Sequence, residues 1–221
     1  MPVRKIPKNH LCVTGKFASR KNGQMGGFES LLEKEYMLLM DFDDMVEGFE
    51  EQPVNIPLPG VAKGYTPDLL VRFRPDPTTG CVRPPLLTEV KHSDDLKKYA
   101  EKYAPKFAAA TLYVLERGWD FGITTEKEIR TPRLANIKFL REYRNINPAD
   151  DDDCARIIAV TRATGGAVSL PNLLAELALT DEDHLYWMPV VWNMVLTKRL
   201  IVDLDCAISD GVILNLPEGL T

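Results

Sequence analysis

The sequence predicts a mixed α/β protein whose second, smaller domain is mainly helical. Helix-like and strand-like segments alternate through the first part of the 221 residues, which is the order expected of mixed α/β folds. An acidic run that contains proline, NINPADDDD at positions 145–153, then interrupts this pattern. We place the domain boundary in this run, which gives predicted domains at residues 1–147 and 148–221.

The first domain is predicted to contain a strand hairpin with helices beside it. FESLLEKEYMLLM, from Phe28 to Met40, has apolar residues at helical spacing and predicts a helix. YTPDLLVRF and LLTEVKH predict the two strands of a hairpin, and WDFGITTE predicts a further buried strand. Asp94–Arg117 predicts a helix that is kinked or broken at Pro105.

The second domain has the outline of a winged helix-turn-helix. A first helix is predicted from Cys154 to Arg162, and SLPNLLAELAL begins a second helix with Ser169 as its N-cap. A third helix is predicted to contain His184–Thr197, and LIVDLD and VILNL predict two short strands. Three helices followed by a β-ribbon therefore predict a winged helix-turn-helix domain.

The charge is unevenly spread along the chain. A net charge of −5 argues against a protein that grips nucleic acid unaided. Residues 1–28, however, contain six basic residues and no acid, and such an arm can bind phosphates by replacing counterions. Within this arm we predict Lys16, Arg20 and Lys21 as DNA-binding residues, and a solvated terminus without a binding role remains the alternative.

The cysteines and the apolar segments exclude several classes of protein. Cys12, Cys81, Cys154 and Cys206 lie far apart and form no CxxC pair, so the sequence indicates neither a disulfide framework nor a zinc site. The apolar stretches are much shorter than the roughly 20 residues that span a bilayer, and the basic start lacks the apolar region of a signal peptide. We therefore expect a cytoplasmic protein.

Two acids and a lysine fall on the predicted hairpin. Asp68 begins the first strand, and Glu89 and Lys91 share one face of the second because strand side chains alternate. The neighbouring positions are apolar, so charges placed there need partners. Carboxylates are suitable ligands for Mg²⁺, which can activate water for phosphodiester hydrolysis. Glu29 and Glu33 lie four residues apart on one face of the predicted helix, and the pattern does not choose between them as a third acid.

The segment ESLLEKEYMLLMDFDDMVEGFEEQP, followed by YTPDLLV and LTEVK, resembles TnsA, the endonuclease subunit of Tn-seven-like heteromeric transposases, which include CRISPR-associated elements. The resemblance is strongest over Glu29–Ile129. It implies a restriction-endonuclease-like fold of the PD-(D/E)xK type for the N-terminal domain. It also implies a set of catalytic residues, namely Glu33, Asp68, Glu89 and Lys91. The implied cofactor is Mg²⁺, for which Mn²⁺ would substitute, held by Glu33, Asp68, Glu89 and the carbonyl group of Val90.

The resemblance further implies a role in cut-and-paste transposition in a bacterial cytoplasm. The protein would cut the 5′ ends of a transposon, while the transposase TnsB cuts and joins the 3′ ends. It would also contact the AAA+ ATPase TnsC, for which the C-terminal domain is a suitable surface. Two alternatives stay open: a stand-alone restriction or repair nuclease of the same fold, and a non-cleaving DNA-binding adaptor.

Overall fold

The computed structural model describes residues 14–23, 25–146, 151–178 and 180–219. The chain divides into two compact units, one ending at Arg130 and the other starting at Thr131. This division falls earlier in the chain than the predicted boundary at residue 147. The reason is a helix, α5 (Pro132–Arg141), that packs on α8 (Asp181–Leu196) and so belongs to the second unit.

The first unit is built on a four-stranded mixed sheet. Its strand order is β3 (Val46–Glu51), β6 (Leu69–Phe73), β7 (Leu86–Val90) and β8 (Asp120–Thr124). The predicted hairpin is confirmed, because β6 and β7 pair in antiparallel fashion. Strand β8 pairs with β7 in parallel and lies at the sheet edge. The prediction that this segment is buried was wrong, because an edge strand has only one neighbour and all its residues are partly or fully exposed.

The turn that joins β6 to β7 is exposed and internally hydrogen bonded. The side chain of Asp76 accepts hydrogen bonds from the backbone N–H groups of Thr78 and Thr79. The backbone N–H of Asp76 donates to the carbonyl oxygen of Cys81 at 2.9 Å. The turn therefore closes on its own groups and does not depend on the rest of the unit.

Helix α1 (Leu31–Phe42) begins three residues later than predicted. The side chain of Ser30 accepts a hydrogen bond from the backbone N–H of Glu33, which caps the helix at this point. Phe28 instead ends β2 (Met25–Phe28), which pairs with β1 (Gly15–Ala18). Part of the predicted basic arm is therefore a folded hairpin, and residues 1–13 lie outside the described residues.

The segment after β7 forms two helices, α2 (Ser93–Lys98) and α3 (Ala100–Leu115). The break falls at Tyr99, and Pro105 lies inside α3, so the predicted position of the break was wrong.

A second hairpin, β4 (Ile56–Leu58) with β5 (Val61–Tyr65), packs on α3, and a short α4 (Glu126–Ile129) follows β8. The core between α3 and the strands contains a cluster of buried side chains: Ile56, Tyr65, Leu70, Leu87, Ala110 and Val114.

The second unit contains helices and one strand pair. After α5 come α6 (Asp151–Ala163), β9 (Ala167–Ser169), α7 (Leu170–Leu177), α8 and β10 (Ile213–Asn215). The three helices predicted for this region are confirmed, as is Ser169 as the cap of α7. Strand β9 and helix α5 were not predicted, and LIVDLD contributes a single bridge, Ile201 to Asn215, and no full strand. No helix in the described part of the chain is long and apolar enough to cross a membrane.

Candidate active site

Asp68 and Glu89 come together at one end of the β6–β7 hairpin. Asp68 directly precedes β6, and Glu89 lies near the end of the antiparallel β7. The backbone N–H of Val90 donates to Oδ2 of Asp68 at 2.7 Å, so the carboxylate takes the position that a strand carbonyl would otherwise have. On the other side, the backbone N–H of Gln52 donates to the carbonyl oxygen of Asp68 at 2.8 Å. Asp68 is therefore held by two backbone donors.

Lys91 holds the two carboxylates together. Its Nζ lies 3.0 Å from Oδ2 of Asp68 and 3.0 Å from Oε1 of Glu89. The carbonyl oxygen of Val90 is a third acceptor, also at 3.0 Å. Burial lowers the pKa of Lys91, but the charges of Asp68 and Glu89 outweigh this effect and raise it. Lys91 is therefore a cation at neutral pH, and three oxygens converge on it.

Glu89 is the most deeply buried of these groups. Its side chain is 4% exposed, against 14% for Asp68. The hydroxyl of Tyr65 donates to Oε2 of Glu89 at 2.7 Å, while Oε1 contacts Lys91. Burial and the charge of Asp68 raise the pKa of Glu89 to about 6, although Lys91 and the Tyr65 hydroxyl act in the opposite direction. Both oxygens of this buried carboxylate thus have a partner.

Glu33 lies near Asp68, but its carboxylate is bonded to the start of its own helix. Its oxygens accept from the hydroxyl of Ser30 at 2.9 Å and from the backbone N–H of Glu29 at 2.8 Å. Burial raises the pKa of Glu33 to about 7, and the charge of Asp68 adds to this effect. The predicted helix acid is therefore close enough to feel the hairpin charges, while its hydrogen bonds run to residues before α1.

Glu29 faces the same cavity as the hairpin acids through Gln52. The Nε2 of Gln52 donates to Oε1 of Glu29 at 3.0 Å. Gln52 is 6% exposed and has a left-handed backbone with φ of 46°, which is uncommon for a residue other than glycine. Within the described residues, its buried Oε1 has no hydrogen-bond partner. Strained backbone and unsatisfied polar atoms concentrate at functional sites, and both occur here beside Asp68.

A cavity of about 450 Å³ opens beside these carboxylates. Its lining includes acidic and amide side chains as well as lysine and tyrosine side chains. The charged and aromatic lining residues are Glu29, Tyr65, Asp68, Glu89, Lys91, Tyr103 and three further lysines, Lys63, Lys102 and Lys106. The cavity therefore combines carboxylates with four lysine side chains, which can attract a negatively charged ligand.

The structure separates the predicted site residues into two groups. Asp68, Glu89 and the carbonyl group of Val90 all contact Nζ of Lys91, and Glu33 is close enough to respond to the charge of Asp68. Among the described residues, no three His, Cys, Asp or Glu side chains are placed to hold a metal ion together. This agrees with the bonds of Glu33 to its own helix start and with the lysine between the other two acids.

The three predicted DNA-binding residues lie elsewhere. Arg20 pairs with Asp41, at 3.2 Å from Nε to Oδ2, and the Nζ of Lys21 donates to backbone carbonyl groups, including that of Val46 at 2.6 Å. Lys16 lies on β1. None of the three lines the cavity, so their predicted contact with DNA stays a prediction. Arg20 and Lys21 already serve to hold the β1–β2 region to α1 and β3.

The sequence pattern did not single out the lysines that line the cavity besides Lys91, namely Lys63, Lys102 and Lys106. Lys102 and Lys106 are four residues apart on α3, and Lys98 precedes Lys102 by the same interval. The i, i+4 spacing of Lys102 and Lys106 was a readable signal, because it places these two side chains on one face of α3, whereas Lys98 ends α2 before the break at Tyr99. Tyr65 was missed as well, although it stands three residues before Asp68 in YTPDLLVRF, the segment that predicts the first strand of the hairpin.

Two carboxylates and a lysine gathered at one end of a hairpin in an α/β unit can bind a cation and offset charge on a phosphate, which is what phosphodiester hydrolysis requires. Residues 43–126 match the family model of the TnsA-like endonuclease N-terminal domain. This segment is therefore similar to the N-terminal domain of TnsA-like endonucleases, and the matched range includes Asp68, Glu89 and Lys91 but not Glu33. The comparison with curated proteins gave no match.

Proposed function

We propose that the protein is a magnesium-dependent DNA endonuclease that cuts the 5′ ends of a transposon together with TnsB and TnsC. The TnsA-like endonuclease domain supports nuclease activity in general. The observation that carries the finer proposal is the convergence of Asp68, Glu89 and the Val90 carbonyl on one cationic nitrogen.

The donor atoms fit a hard divalent cation. Mg²⁺ prefers oxygen ligands and commonly uses one or two carboxylates. The three oxygens that surround Nζ of Lys91 are two carboxylate oxygens and one carbonyl oxygen, each at 3.0 Å. Asp68, Glu89 and Val90 would hold the ion, with Glu33 beside them as a further acid. When bound, the ion activates water and offsets charge on the phosphate.

The protein groups contribute orientation and charge. Val90 and Gln52 fix Asp68 through backbone hydrogen bonds, and Tyr65 fixes Glu89. Lys91 keeps its positive charge at neutral pH because the neighbouring carboxylates raise its pKa. This charge offsets the negative charge that builds up on a phosphate in the cavity.

A reconstitution experiment tests the proposal. The purified protein with Mg²⁺ should leave transposon-end DNA intact, because a chain of net charge −5 gains little from DNA on its own. Adding TnsB and TnsC of the same element should produce cuts at the 5′ ends, mapped by primer extension. Efficient cutting by the protein alone would favour a stand-alone nuclease, and failure to cut in the complete mixture would favour a non-cleaving adaptor.

We also infer that the second unit contains a winged helix-turn-helix that contacts TnsC. The order α6, β9, α7, α8 and β10, with β9 and β10 paired in antiparallel fashion, supports this assignment. On α8, the adjacent Leu185 and Tyr186 are 78% and 51% exposed, and we infer that they form part of the contact. Leu185→Asp should reduce capture of TnsC by the full chain, whereas Leu112→Asp, at a leucine of the first unit that is 65% exposed, should not. Equal capture by both variants would contradict the contact at Leu185.

A further inference from the structure

We propose that Lys63, Lys102 and Lys106 form a binding track for a DNA phosphodiester backbone that leads to the carboxylates at the end of the β6–β7 hairpin. We call these three residues the lysine track. The inference deepens the proposed nuclease function and rests on it, because it assigns how the strand to be cut reaches the site.

The lysine track belongs to the same cavity as the acids. Lys63 on β5 and Lys102 and Lys106 on α3 line the cavity that also contains Asp68 and Glu89. Four residues along a helix correspond to a rise of roughly 6 Å, so Lys102 and Lys106 stand one above the other on one face. Such spacing suits contacts with successive phosphates of one strand.

The charges of the lysine track are not neutralised by protein carboxylates. Within the described residues, none of its three members forms an ion pair with Asp or Glu, whereas the nearby Lys97 pairs with Asp94 at 3.5 Å. Nζ of Lys106 lies 5.6 Å from the ring centroid of Tyr65 and 5.7 Å from that of Tyr103. Aromatic faces hold a cation without cancelling its charge, so the ammonium groups stay available to an anion.

Packing of the fold does not explain these residues. Helix α2 has no buried residue, and the buried residues of α3 are Ala110 and Val114, which lie after the track. Most side chains from Lys97 to Lys106 are therefore exposed, and Lys102, Tyr103 and Lys106 line the cavity. Tyr103 lies between Lys102 and Lys106, and Tyr99, which is 40% exposed, lies between Lys98 and Lys102. This alternation of basic and aromatic residues is typical of surfaces that follow a nucleic-acid strand.

Charge balance explains why DNA is the occupant. The carboxylates repel a phosphate, so a nuclease site needs cations that hold the flanking phosphates while the scissile one approaches the acids. The lysine track supplies these cations close to Glu89. The hydroxyl of Tyr65 donates to Glu89, and Nζ of Lys106 lies over the ring of the same tyrosine. A DNA strand carries both the flanking phosphates that these lysines can bind and the phosphodiester bond that the proposed nuclease would cut.

The test compares DNA binding by the full chain and two double variants. One variant is Lys102→Ala with Lys106→Ala. The matched control is Lys97→Ala with Lys127→Ala, which removes the same charge from exposed lysines outside the cavity. Binding to short fluorescent duplex and single-stranded DNA of arbitrary sequence is measured by anisotropy over a series of salt concentrations, without divalent metal. Circular dichroism verifies that all three proteins are folded.

We expect the track variant to bind DNA roughly tenfold more weakly, and its salt dependence should fall by about two counterions, since each phosphate-binding lysine contributes about one. The control should keep the wild-type slope. Equal slopes for the two variants, or no binding by the wild type at low salt, would overturn the proposal.

Mn²⁺ binding, measured by calorimetry, should be equal in all three proteins, whereas a loss in the track variant would also overturn it. Failure of the nuclease proposal would differ, because the complete transposition mixture would not cut although the track still bound DNA.

Discussion

Lys91 contacts Asp68 through a 3.0 Å pair between Nζ and Oδ2, so an ammonium group stands among the oxygens that would bind a metal ion. A divalent ion can use these oxygens only when the lysine gives them up. Binding of the ion therefore has to break hydrogen bonds that involve charged groups, which are worth about 1.5–3 kcal/mol each.

Lys91→Met should consequently bind metal more tightly while it loses activity. Methionine keeps much of the side-chain volume and removes the competing charge, so we expect the affinity for Mn²⁺ to rise at least roughly tenfold. Cleavage by the complete mixture should fall by orders of magnitude, because the positive charge near the phosphate is gone. Calorimetric titration measures the first effect, with Lys127→Met as control. Unchanged or weaker metal binding would show that Lys91 does not compete.

Asp68→Asn and Asp68→Ala should differ in stability but not in activity. Both variants remove the charged ligand, so both should lose cleavage by several orders of magnitude. Only asparagine keeps an acceptor for the backbone N–H of Val90, which donates to Asp68 at 2.7 Å. The alanine variant should therefore unfold with a free energy about 1–2 kcal/mol lower than that of the asparagine variant, measured by urea denaturation. Equal stabilities would mean that water satisfies the N–H of Val90.

The metal-free protein should lose stability as the pH rises from about 4.5 to 7. Folding raises the pKa of Glu33 from 4.5 to about 7 and that of Glu89 to about 6. A carboxyl with a raised pKa favours the folded state at a pH below its unfolded pKa, and this contribution disappears as the pH passes its folded pKa. One unit corresponds to about 1.36 kcal/mol, so Glu33 contributes roughly 1–3 kcal/mol.

Glu33→Gln isolates this effect, because the glutamine oxygen can still accept from the backbone N–H of Glu29 while its amide group donates to the hydroxyl of Ser30. Its free energy of unfolding should decline less with pH than that of the wild type, and the two curves should separate most near neutral pH. Parallel curves across the range would contradict a raised pKa at Glu33.

Tyr65→Phe should weaken metal binding without changing the cavity shape. The variant removes the 2.7 Å hydrogen bond to Oε2 of Glu89, which keeps the pKa of Glu89 lower than burial alone would. Glu89 should then ionise at higher pH, and the pH dependence of Mn²⁺ binding should move in the same direction. Tyr103 lines the same cavity, so Tyr103→Phe is the matched control. A shift of equal size in the control would show that the Tyr65 hydroxyl has no special role.

The hairpin part of the site could be predicted from the sequence because it is local. Alternation along a strand places Glu89 and Lys91 on one face, and the antiparallel pairing of β6 with β7 brings Asp68 to the same end. No long-range information is needed for these three groups. The family resemblance and the residue pattern therefore agreed on them.

The choice of the helix acid and the position of the domain boundary could not be predicted from the spacing of apolar residues, because they depend on a helix cap and on long-range packing. Ser30 caps α1, so Glu29 precedes the helix, and the argument that Glu29 and Glu33 share one helical face was wrong. Glu29 reaches the cavity through Gln52, whose left-handed backbone no pattern indicated. The compact units divide at Arg130 because α5 packs with later helices, whereas a composition shift marks only a change of residues.

Counts of charge along the sequence also do not show which basic side chains have carboxylate partners in the folded chain. Arg20 lies in a stretch without acids, yet its partner Asp41 is 21 residues away and meets it only in the folded chain. Conversely, Lys102 and Lys106 occur in a segment whose acids, such as Glu101, balance them in the sequence. Folding leaves those lysines without carboxylate partners among the described residues, which a linear count cannot reveal.

The turn between β6 and β7 lies at the far end of the hairpin from Asp68 and Glu89, and its hydrogen bonds close within Asp76–Cys81. Extra residues could enter this turn without altering the distance between the two carboxylates, so the position tolerates changes of length. It also offers an attachment point, because Cys81 is an exposed thiol. A dye or surface tether joined there would leave the chemistry at the opposite end of both strands undisturbed.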